Sequence, residues 1–151
     1  MHERLARLGA TLAAMPPVAA MGISVVEHVD HRLTLSAPLA ANLNDKGNAF
    51  GGSLASILTL SGWGLATLEL EAAGLQADVY VADSQVRYLA PLYGDLLATA
   101  QQADDASWEV FLERFAKRGH ASIQLQAQIL ADGRPAATLA GRFVAKAKEI
   151  A

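Results

Sequence analysis

Residues 44–68 read NDKGNAFGGSLASILTLSGWGLATL, and this segment changes character in its middle. A polar loop leads to two adjacent glycines, and residues 47–68 include no charged side chain. Such a length would suit a membrane span, but the run contains scattered glycine, serine and threonine and has no basic cluster at its ends. We therefore expect one long helix, from Gly51 or Gly52 to about Ala73, buried inside the protein rather than in a membrane.

The chain before this helix predicts a shorter helix and a hairpin. Residues 3–15 carry apolar side chains at a spacing of three or four, which indicates a helix with one apolar face that Pro16-Pro17 ends. Residues 23–29 and 32–36 alternate apolar and polar side chains. Asp30-His31 lies between these two runs, which predicts a hairpin with a tight turn.

The chain after the long helix predicts four strands and one short helix. Ser107 can cap the short helix, because apolar residues follow it at helical spacing, and Gly119 ends it. Asp132-Gly133 predicts the turn of a second hairpin. The predicted strands are residues 78–90, 94–103, 121–130 and 134–145.

This order of elements indicates an α+β fold. Strands follow strands, with one long apolar helix between them, so we expect an antiparallel sheet curled around a central helix. The length of 151 residues fits one domain, and we interpret residues 1–151 as a single domain. A sheet that covers one helix leaves free edges, and we therefore expect a homodimer or a dimer of dimers.

The composition excludes several classes of function. A net charge of −3 argues against binding to nucleic acid. The absence of cysteine removes disulfides, thiol nucleophiles and cysteine-based zinc sites. The four histidines do not occur at metal-binding spacing, so we expect no metal and no other cofactor. The first residues do not match a signal peptide, and we expect a cytoplasmic protein that binds no membrane.

The glycine pair at the start of the long helix is the best candidate for chemistry. The first N–H groups of a helix have no internal acceptor and carry the positive end of its dipole. Glycine also lets a ligand approach the backbone closely. Such a site suits the developing oxyanion of acyl-thioester chemistry. Equally, the pair can serve only to pack the helix closely on the sheet. The segment lacks the pattern of a phosphate-binding loop, which excludes nucleotide binding through it.

The same segment resembles the Asn-x-x-Gly-x-x-His-Gly-Gly signature of hotdog-fold acyl-CoA thioesterases of the phenylacetate-pathway type. Phe50 replaces the histidine, and Thr59 stands where those enzymes carry an aspartate. The resemblance implies that the oxyanion-binding half of the site is kept and the usual carboxylate is missing. Thr59 can hold a water or bond back to its own helix. The matching positions are Asn44, Gly47, Gly51 and Gly52.

A second resemblance, to the YiiD C-terminal hotdog family, covers nearly the whole chain. It implies the hotdog fold and activity on short acyl thioesters of CoA or acyl carrier protein, whose pantetheine is the substrate carrier. Members are commonly described as thioesterases. Some are assigned decarboxylation of malonyl thioesters to acetyl thioesters that prime fatty acid synthesis, for which an asparagine matching Asn44 is implicated. The motifs are Ala37-Pro38-Leu39, Asn42-x-Asn44, Phe50-x-Gly52-Ser53, Thr59-Leu60-x-Gly62-Trp63-Gly64 and Ala82-Asp83-x-x-x-Arg87-Tyr88-Leu89-Ala90-Pro91.

The chemistry of the two reactions differs in its need for a base. Hydrolysis needs a base that activates water, and the candidates are Asp45 and, across the fold, Asp83. Decarboxylation needs an oxyanion hole and a carboxylate moved out of water. We therefore favour decarboxylation, with thioester hydrolysis and non-catalytic binding of acyl thioesters as alternatives. The predicted catalytic residues are Asn44, Gly51, Gly52, Thr59 and Asp83.

Four further residues are predicted to bind substrate. Asn48 and Ser53 adjoin the oxyanion site, and Phe50 supplies an apolar wall. Arg87 can hold the substrate carboxylate or a pantetheine phosphate, although Asp83 and Arg87 can instead pair with each other. Trp63 is expected in the core. Other basic residues form either a rim that attracts the carrier or ordinary solvated surface charge: Lys46, Arg114, Lys117, Arg118, Arg142, Lys146 and Lys148.

Overall fold

The computed structural model describes residues 2–148, which form four α-helices, one 3-10 turn and six strands. The helices are α1 (His2–Ala14), α2 (Pro16–Met21), α3 (Gly51–Ala72) and α4 (Trp108–Arg118), and the 3-10 turn is Leu39–Ala41. The strands are β1 (Ser24–Val29), β2 (Arg32–Ala37), β3 (Ala77–Tyr88), β4 (Leu96–Gln102), β5 (His120–Ala131) and β6 (Arg134–Ala147).

The six strands form one antiparallel sheet in the order β1-β2-β4-β5-β6-β3. The helix α3 lies against β2, β3, β4, β5 and β6, so the sheet curls around it. β1 and β3 are the two edge strands. The predicted α+β architecture, with a sheet around one central helix, is confirmed.

The central helix α3 is buried by this sheet. Twelve of its 22 residues are buried, and they include the charged residue Glu69. By length and hydropathy alone α3 could cross a membrane, yet 67% of its most apolar window lies buried inside the protein. This burial agrees with the prediction of a helix wrapped by the rest of the chain.

Two glycines of α3 allow close contact between the helix and the sheet. A Cβ atom added to Gly62 would lie 2.5 Å from Cζ of Phe143 on β6. A Cβ atom added to Gly64 would lie 2.7 Å from Cδ2 of Leu33 on β2. Trp63, between them, is partly buried and packs against the core, as predicted.

The N-terminal region differs from the prediction at the proline pair. α1 buries Leu8 and Leu12 against the core and ends at Ala14, as its apolar spacing predicts. Pro16-Pro17 then begins a second short helix, α2, which the sequence did not predict. Proline is favoured in the first helical turn, because its missing N–H would have no internal acceptor there.

Both predicted hairpin turns are confirmed and contain left-handed residues. Asp30 and His31 have φ angles of 52° and 58°, and Asp132 and Gly133 have φ angles of 52° and 78°. Two successive positive φ angles fit the twist of a tight hairpin. His31 therefore holds a backbone conformation that glycine adopts in the other hairpin.

The short helix α4 also begins and ends as predicted. Ser107 caps its start, because the Ser107 Oγ accepts a hydrogen bond of 3.2 Å from the Val110 N–H. Gly119 follows its last turn with a φ of 74°. Trp108 and Phe111 are buried, so α4 adds an apolar face to the core.

The edge strand β3 contains a bulge that changes which side chains face the core. Val81 lies opposite Phe143, which is buried, but the register then shifts and Asp83 lies opposite Arg142. Side chains alternate between faces along a strand, and a bulge shifts this alternation by one residue. Asp83 therefore faces away from α3, on the outer face of the sheet.

Candidate active site

The loop before α3 is held in place by the buried side chain of Asn42. Its Nδ2 donates to the main-chain oxygens of Met21 (2.9 Å) and Pro38 (2.8 Å). Its main-chain oxygen accepts a hydrogen bond of 2.8 Å from the N–H of Phe50, the residue before α3. Asn42 thus joins the end of α2 to the start of α3. Asn42 belongs to the Asn42-x-Asn44 motif, but the sequence alone predicts no role for it.

Asn44 and Asn48 are hydrogen-bonded to each other at the tip of the same loop. The Asn44 Oδ1 accepts hydrogen bonds from the N–H groups of Lys46 (2.8 Å) and Asn48 (3.1 Å). The Asn44 Nδ2 donates to the Asn48 Oδ1 at 2.7 Å. Hydrogen bonding to the loop backbone was one of two roles considered for Asn44, and its side-chain oxygen makes such bonds. Within residues 2–148, one Nδ2 hydrogen of Asn44 and both of Asn48 have no recorded acceptor.

The start of α3 presents free backbone donors. Phe50 occupies the N-cap position, and its side chain makes no capping hydrogen bond. The first helical hydrogen bond runs from the Leu54 N–H to the Phe50 oxygen at 3.1 Å. Among the residues that the structure describes, the N–H groups of Gly51, Gly52 and Ser53 have no recorded acceptor. They carry the positive end of the helix dipole and can receive an anion or oxyanion.

Two aromatic rings flank these donors. The Phe50 ring lies against Gly52, where an added Cβ atom would be 2.5 Å from its Cε2. The Tyr88 ring lies beside Gly51, and the Tyr88 hydroxyl donates to the Gly51 oxygen at 3.2 Å. Phe50 is 54% exposed and Tyr88 is 57% exposed, so both border open space. Tyr88 belongs to a family motif, but the sequence alone did not predict it as a site residue.

Thr59 does not reach the helix start within one chain. It lies eight residues after Gly51, which is about 12 Å along the axis at about 1.5 Å per residue. Its hydroxyl donates to the Ala55 oxygen at 2.8 Å. Thr59 was expected either to hold a water or to bond back to its own helix, and in the structure it bonds back to its own helix.

Asp83 is paired on the outer face of the sheet. Arg142 donates to the Asp83 Oδ2 from Nη2 at 3.1 Å and from Nε at 3.2 Å. The expected pairing of Asp83 with Arg87 is wrong, because Arg142 is the direct cross-strand neighbour and the bulge was not visible in the sequence. Within one chain Asp83 lies on the sheet face opposite α3, and its catalytic use stays a prediction.

Asp45 is the other candidate base, and it faces solvent. Its Oδ1 accepts a hydrogen bond of 2.8 Å from the Lys46 Nζ, and both side chains are largely exposed. Lys46 and Asp45 thus form an exposed ion pair, which water screens. No carboxylate or imidazole among residues 2–148 makes a recorded hydrogen bond to Gly51, Gly52 or Ser53.

Arg87 lies on the outer face of the sheet, away from α3. It follows the same alternation as Asp83 and lies opposite Thr138. A cavity of about 480 Å³ on that face is lined by Arg87, Arg32 and several glutamine and threonine side chains, with no acidic residue in its lining. This position suits a phosphate of a bound carrier better than the carboxylate of a substrate at Gly51.

The other basic residues are dispersed. Lys117 pairs with Glu113 one turn away on α4, and its hydrogen bond and charge lower the pKa of Glu113. Lys148 lines a second cavity of about 740 Å³ between α1, α3 and β3, together with Arg4 and Arg7. The predicted rim is therefore not one continuous patch.

Two histidines for which the sequence predicted no role contact a buried carboxylate. His28 Nε2 and His31 Nδ1 donate to the two carboxylate oxygens of Glu69 at 2.6 and 2.5 Å. These are hydrogen-bond distances that leave no room for a metal ion between the atoms. Glu69 lies 18 residues after Gly51 on α3, about 27 Å along the axis, so the cluster is separate from the helix start.

Comparisons with known proteins agree with this fold. A family model described as "Putative thioesterase (yiiD_Cterm)" matches residues 6–147. A crystal structure described as a "putative thioesterase from Shewanella oneidensis" is 32% identical, with 97% of this chain and 99% of that chain covered and a TM-score of 0.86. A Chlorobaculum tepidum protein of unknown function is 27% identical, with 95% and 94% covered and a TM-score of 0.88. A "Probable Thioesterase" from Pseudomonas aeruginosa shares the fold at 19% identity, with 95% of each chain covered and a TM-score of 0.78.

Proposed function

The chain belongs to the YiiD C-terminal thioesterase family of hotdog-fold proteins, and on this premise we propose that it decarboxylates a malonyl thioester to an acetyl thioester. The observation that carries the proposal is the start of α3, where the N–H groups of Gly51, Gly52 and Ser53 are free and no carboxylate or imidazole is bonded to them. The site has an oxyanion hole without a base.

The reaction fits such a site. The bond between the malonyl carboxylate and the neighbouring carbon breaks, carbon dioxide leaves, and the bonding electrons form an enolate on the thioester. The negative charge moves to the thioester oxygen, where backbone N–H groups and the helix dipole stabilise it. The enolate carbon then takes one proton. No water has to be activated, so the lack of a base does not prevent the reaction.

The surroundings of the free N–H groups also favour loss of carbon dioxide. The rings of Phe50 and Tyr88 form apolar walls on the two sides of the glycine pair. A malonyl carboxylate placed against them loses part of its hydration, which favours the less charged product. The free amide hydrogens of Asn44 and Asn48 are donors that hold the thioester carbonyl or the carboxylate in place.

The carrier is CoA or acyl carrier protein in this proposal, and the acetyl product would prime fatty acid synthesis in the cytoplasm. Arg87 and Arg32 on the outer face line a cavity without acidic residues, which supports binding of carrier phosphates there. The second cavity is less suited to a phosphate, because Glu71 and Asp78 line it as well as basic residues and Arg7 is paired with Glu71. No further cofactor is needed, because decarboxylation of this substrate class proceeds through the thioester alone.

A second copy of the chain is part of the proposal. Within residues 2–148, β3 pairs with β6 alone, and Tyr80 and Val81 on this edge strand are exposed. A homodimer paired along β3 would cover this edge and these side chains. A second copy would also let Thr59 approach the start of α3 in the other chain. A dimer of dimers is the larger alternative.

Thioester hydrolysis is the second candidate, and the family description favours it. It requires a base at Gly51, and in a single chain Asp45 is bonded to Lys46 and Asp83 to Arg142. Hydrolysis would therefore need either rearrangement of the loop that carries Asp45 or a base from a second copy.

The test is intact-mass analysis of malonyl-acyl carrier protein and malonyl-CoA incubated with the purified protein. Loss of carbon dioxide with the acetyl group still attached supports the proposal. Release of free thiol assigns hydrolysis and contradicts it. If malonyl and a panel of acyl-CoAs all stay intact while acyl-CoA raises the melting temperature, the protein is a non-catalytic binding module.

A further inference from the structure

The enolate left by decarboxylation must receive a proton at carbon, and we propose that the hydroxyl of Tyr88 delivers it. This inference rests on the proposed function and adds a catalytic residue to it. None of the residues predicted from the sequence supplies that proton. The inference follows from the position of Tyr88 at the helix start.

The strand β3 positions Tyr88 beside the oxyanion site. Tyr88 lies opposite Ala137 of β6, which is fully buried, so its side chain is on the sheet face that α3 covers. Its Cε1 would be 3.5 Å from a Cβ atom added to Gly51. Its hydroxyl donates to the Gly51 oxygen at 3.2 Å, within the first turn of α3. A thioester oxygen on the free N–H groups would place the reacting carbon next to this ring.

The two aspartates considered as bases and two of the histidines are bonded elsewhere. Asp45 is bonded to Lys46 and Asp83 to Arg142. The imidazoles of His28 and His31 are bonded to Glu69, at the far end of α3. Among residues 2–148, the Tyr88 hydroxyl is the one side-chain donor with a recorded hydrogen bond to Gly51, Gly52 or Ser53.

The proton balance is complete without an oxidant or a metal ion. After carbon dioxide leaves, the enolate carbon takes the proton of the Tyr88 hydroxyl and becomes the methyl group of the acetyl thioester. The phenolate then takes a proton from water. Tyr88 is 57% exposed, so solvent can reach its oxygen between turnovers. The Gly51 oxygen accepts the hydroxyl hydrogen in the resting site and holds the ring in position.

The first test is the variant Tyr88→Phe, with Tyr93→Phe as the matched control. Tyr93 is 68% exposed on the next loop and makes no recorded side-chain hydrogen bond among the described residues. General-acid catalysis contributes about 100-fold or more, so Tyr88→Phe should lower kcat at least tenfold with little change in KM. Tyr93→Phe should retain wild-type kcat. Equal kcat for Tyr88→Phe and wild type would overturn the inference.

The second test identifies the proton donor directly. In an equal mixture of H₂O and D₂O, the deuterium content of the acetyl methyl group depends on which acid delivers the hydron. We expect the deuterium fraction to change in Tyr88→Phe, where water replaces the phenol, and to stay unchanged in Tyr93→Phe. A lower kcat with an unchanged deuterium fraction would make Tyr88 a positioning residue and overturn its role as donor.

Failure of the proposed function would look different. Wild-type protein would then leave malonyl thioesters intact or release free thiol, and the inference about Tyr88 would fall with the reaction. Active wild type with an unaffected Tyr88→Phe variant overturns only the inference.

Discussion

The Nδ1 of His31 donates a hydrogen bond of 2.5 Å to the carboxylate of Glu69, which joins the tip of the β1–β2 hairpin to the central helix. His28 donates to the other carboxylate oxygen at 2.6 Å. Glu69 is only 5% exposed, so the two imidazoles replace the water that a carboxylate would otherwise bind. This cluster fixes the hairpin on the end of α3 remote from Gly51.

Removing the carboxylate should destabilise the fold. We expect Glu69→Ala to lower the free energy of unfolding by about 3 kcal/mol, because two imidazole donors lose their acceptor and a cavity is left. Urea denaturation followed by circular dichroism measures this loss. Glu113→Gln on α4 breaks an exposed ion pair and should leave the urea midpoint nearly unchanged, because water screens the interaction. Similar urea midpoints for both variants would contradict a stabilising role for the cluster.

Two substitutions at His31 can separate the contribution of its hydrogen bond to stability from that of its backbone conformation. His31→Ala loses the bond and keeps the positive φ of 58°, so it should cost about 1–2 kcal/mol of unfolding free energy. His31→Gly loses the same bond but relieves the backbone, and should lie within about 1 kcal/mol of wild type. The melting temperatures of the two variants test this order of stability. A less stable glycine variant would show that the φ angle carries no strain.

The glycines of α3 and α1 should respond to alanine in opposite directions. Gly62→Ala puts a Cβ atom 2.5 Å from Phe143 in the core and should cost about 1–3 kcal/mol of unfolding free energy. Gly9→Ala on α1 meets no atom within 4 Å and should stabilise by up to about 1 kcal/mol, because alanine favours helix. Thermal unfolding of both variants checks the signs. A neutral Gly62→Ala would mean that Phe143 can move aside.

Asn44 should matter for decarboxylation beyond its role in the loop. Asn44→Ala removes three side-chain hydrogen bonds, so we expect malonyl decarboxylation to fall at least 100-fold. Asn44→Asp keeps the oxygen that accepts from Lys46 and Asn48 but loses the Nδ2 donor. It should also lose at least tenfold in kcat.

The matched control for Asn44 is Asp83→Asn. Asp83 lies on the outer face with Arg142, so decarboxylation should remain within about twofold of wild type, since exposed ion pairs contribute little. Steady-state assays by mass spectrometry of the acetyl product compare the three variants. Full activity of Asn44→Ala would refute the mechanism, and a large loss in Asp83→Asn would restore Asp83 as a catalytic candidate.

The free edge of β3 should mediate self-association. Val81 is 40% exposed on this strand, and Val81→Arg should weaken a dimer paired along β3 because it buries a charge at the contact. Val26→Arg, at an exposed position on the opposite edge strand β1, is the control and should leave the dimer intact. Light scattering after size-exclusion chromatography gives the masses. A wild-type monomer, or equal masses for both variants, would exclude this interface.

Most elements of the fold could be predicted because their signals are local. Ser107 and Gly119 bound α4, and Asp132-Gly133 turns the second hairpin, since capping and positive φ angles depend on adjacent residues. The glycine pair at Gly51 also identified the start of α3. Local signals failed at Pro16-Pro17, because the same prolines that end one helix can begin another.

The site was harder to predict because its geometry depends on register. Simple alternation from Val81 would place Asp83 on the inner face of the sheet. The bulge after Val81 turns Asp83 to the outer face instead, where it pairs with Arg142. Bulges depend on how two strands fit and leave no reliable mark on one strand alone. The hydrogen bonds that Asn44 makes within its loop also became visible only in the structure, because they depend on where the side chain and N–H of Asn48 lie.

The sequence by itself determined the long apolar helix, the hairpins and the exposed donors at Gly51, because periodicity, glycine and proline act over a few residues. The tertiary structure alone decided which side chains meet. Tyr88 reaches Gly51 across 37 positions, His31 reaches Glu69 across 38, and Arg142 reaches Asp83 across 59. Such contacts follow from strand order and register, which the whole core sets together as the sheet closes around α3.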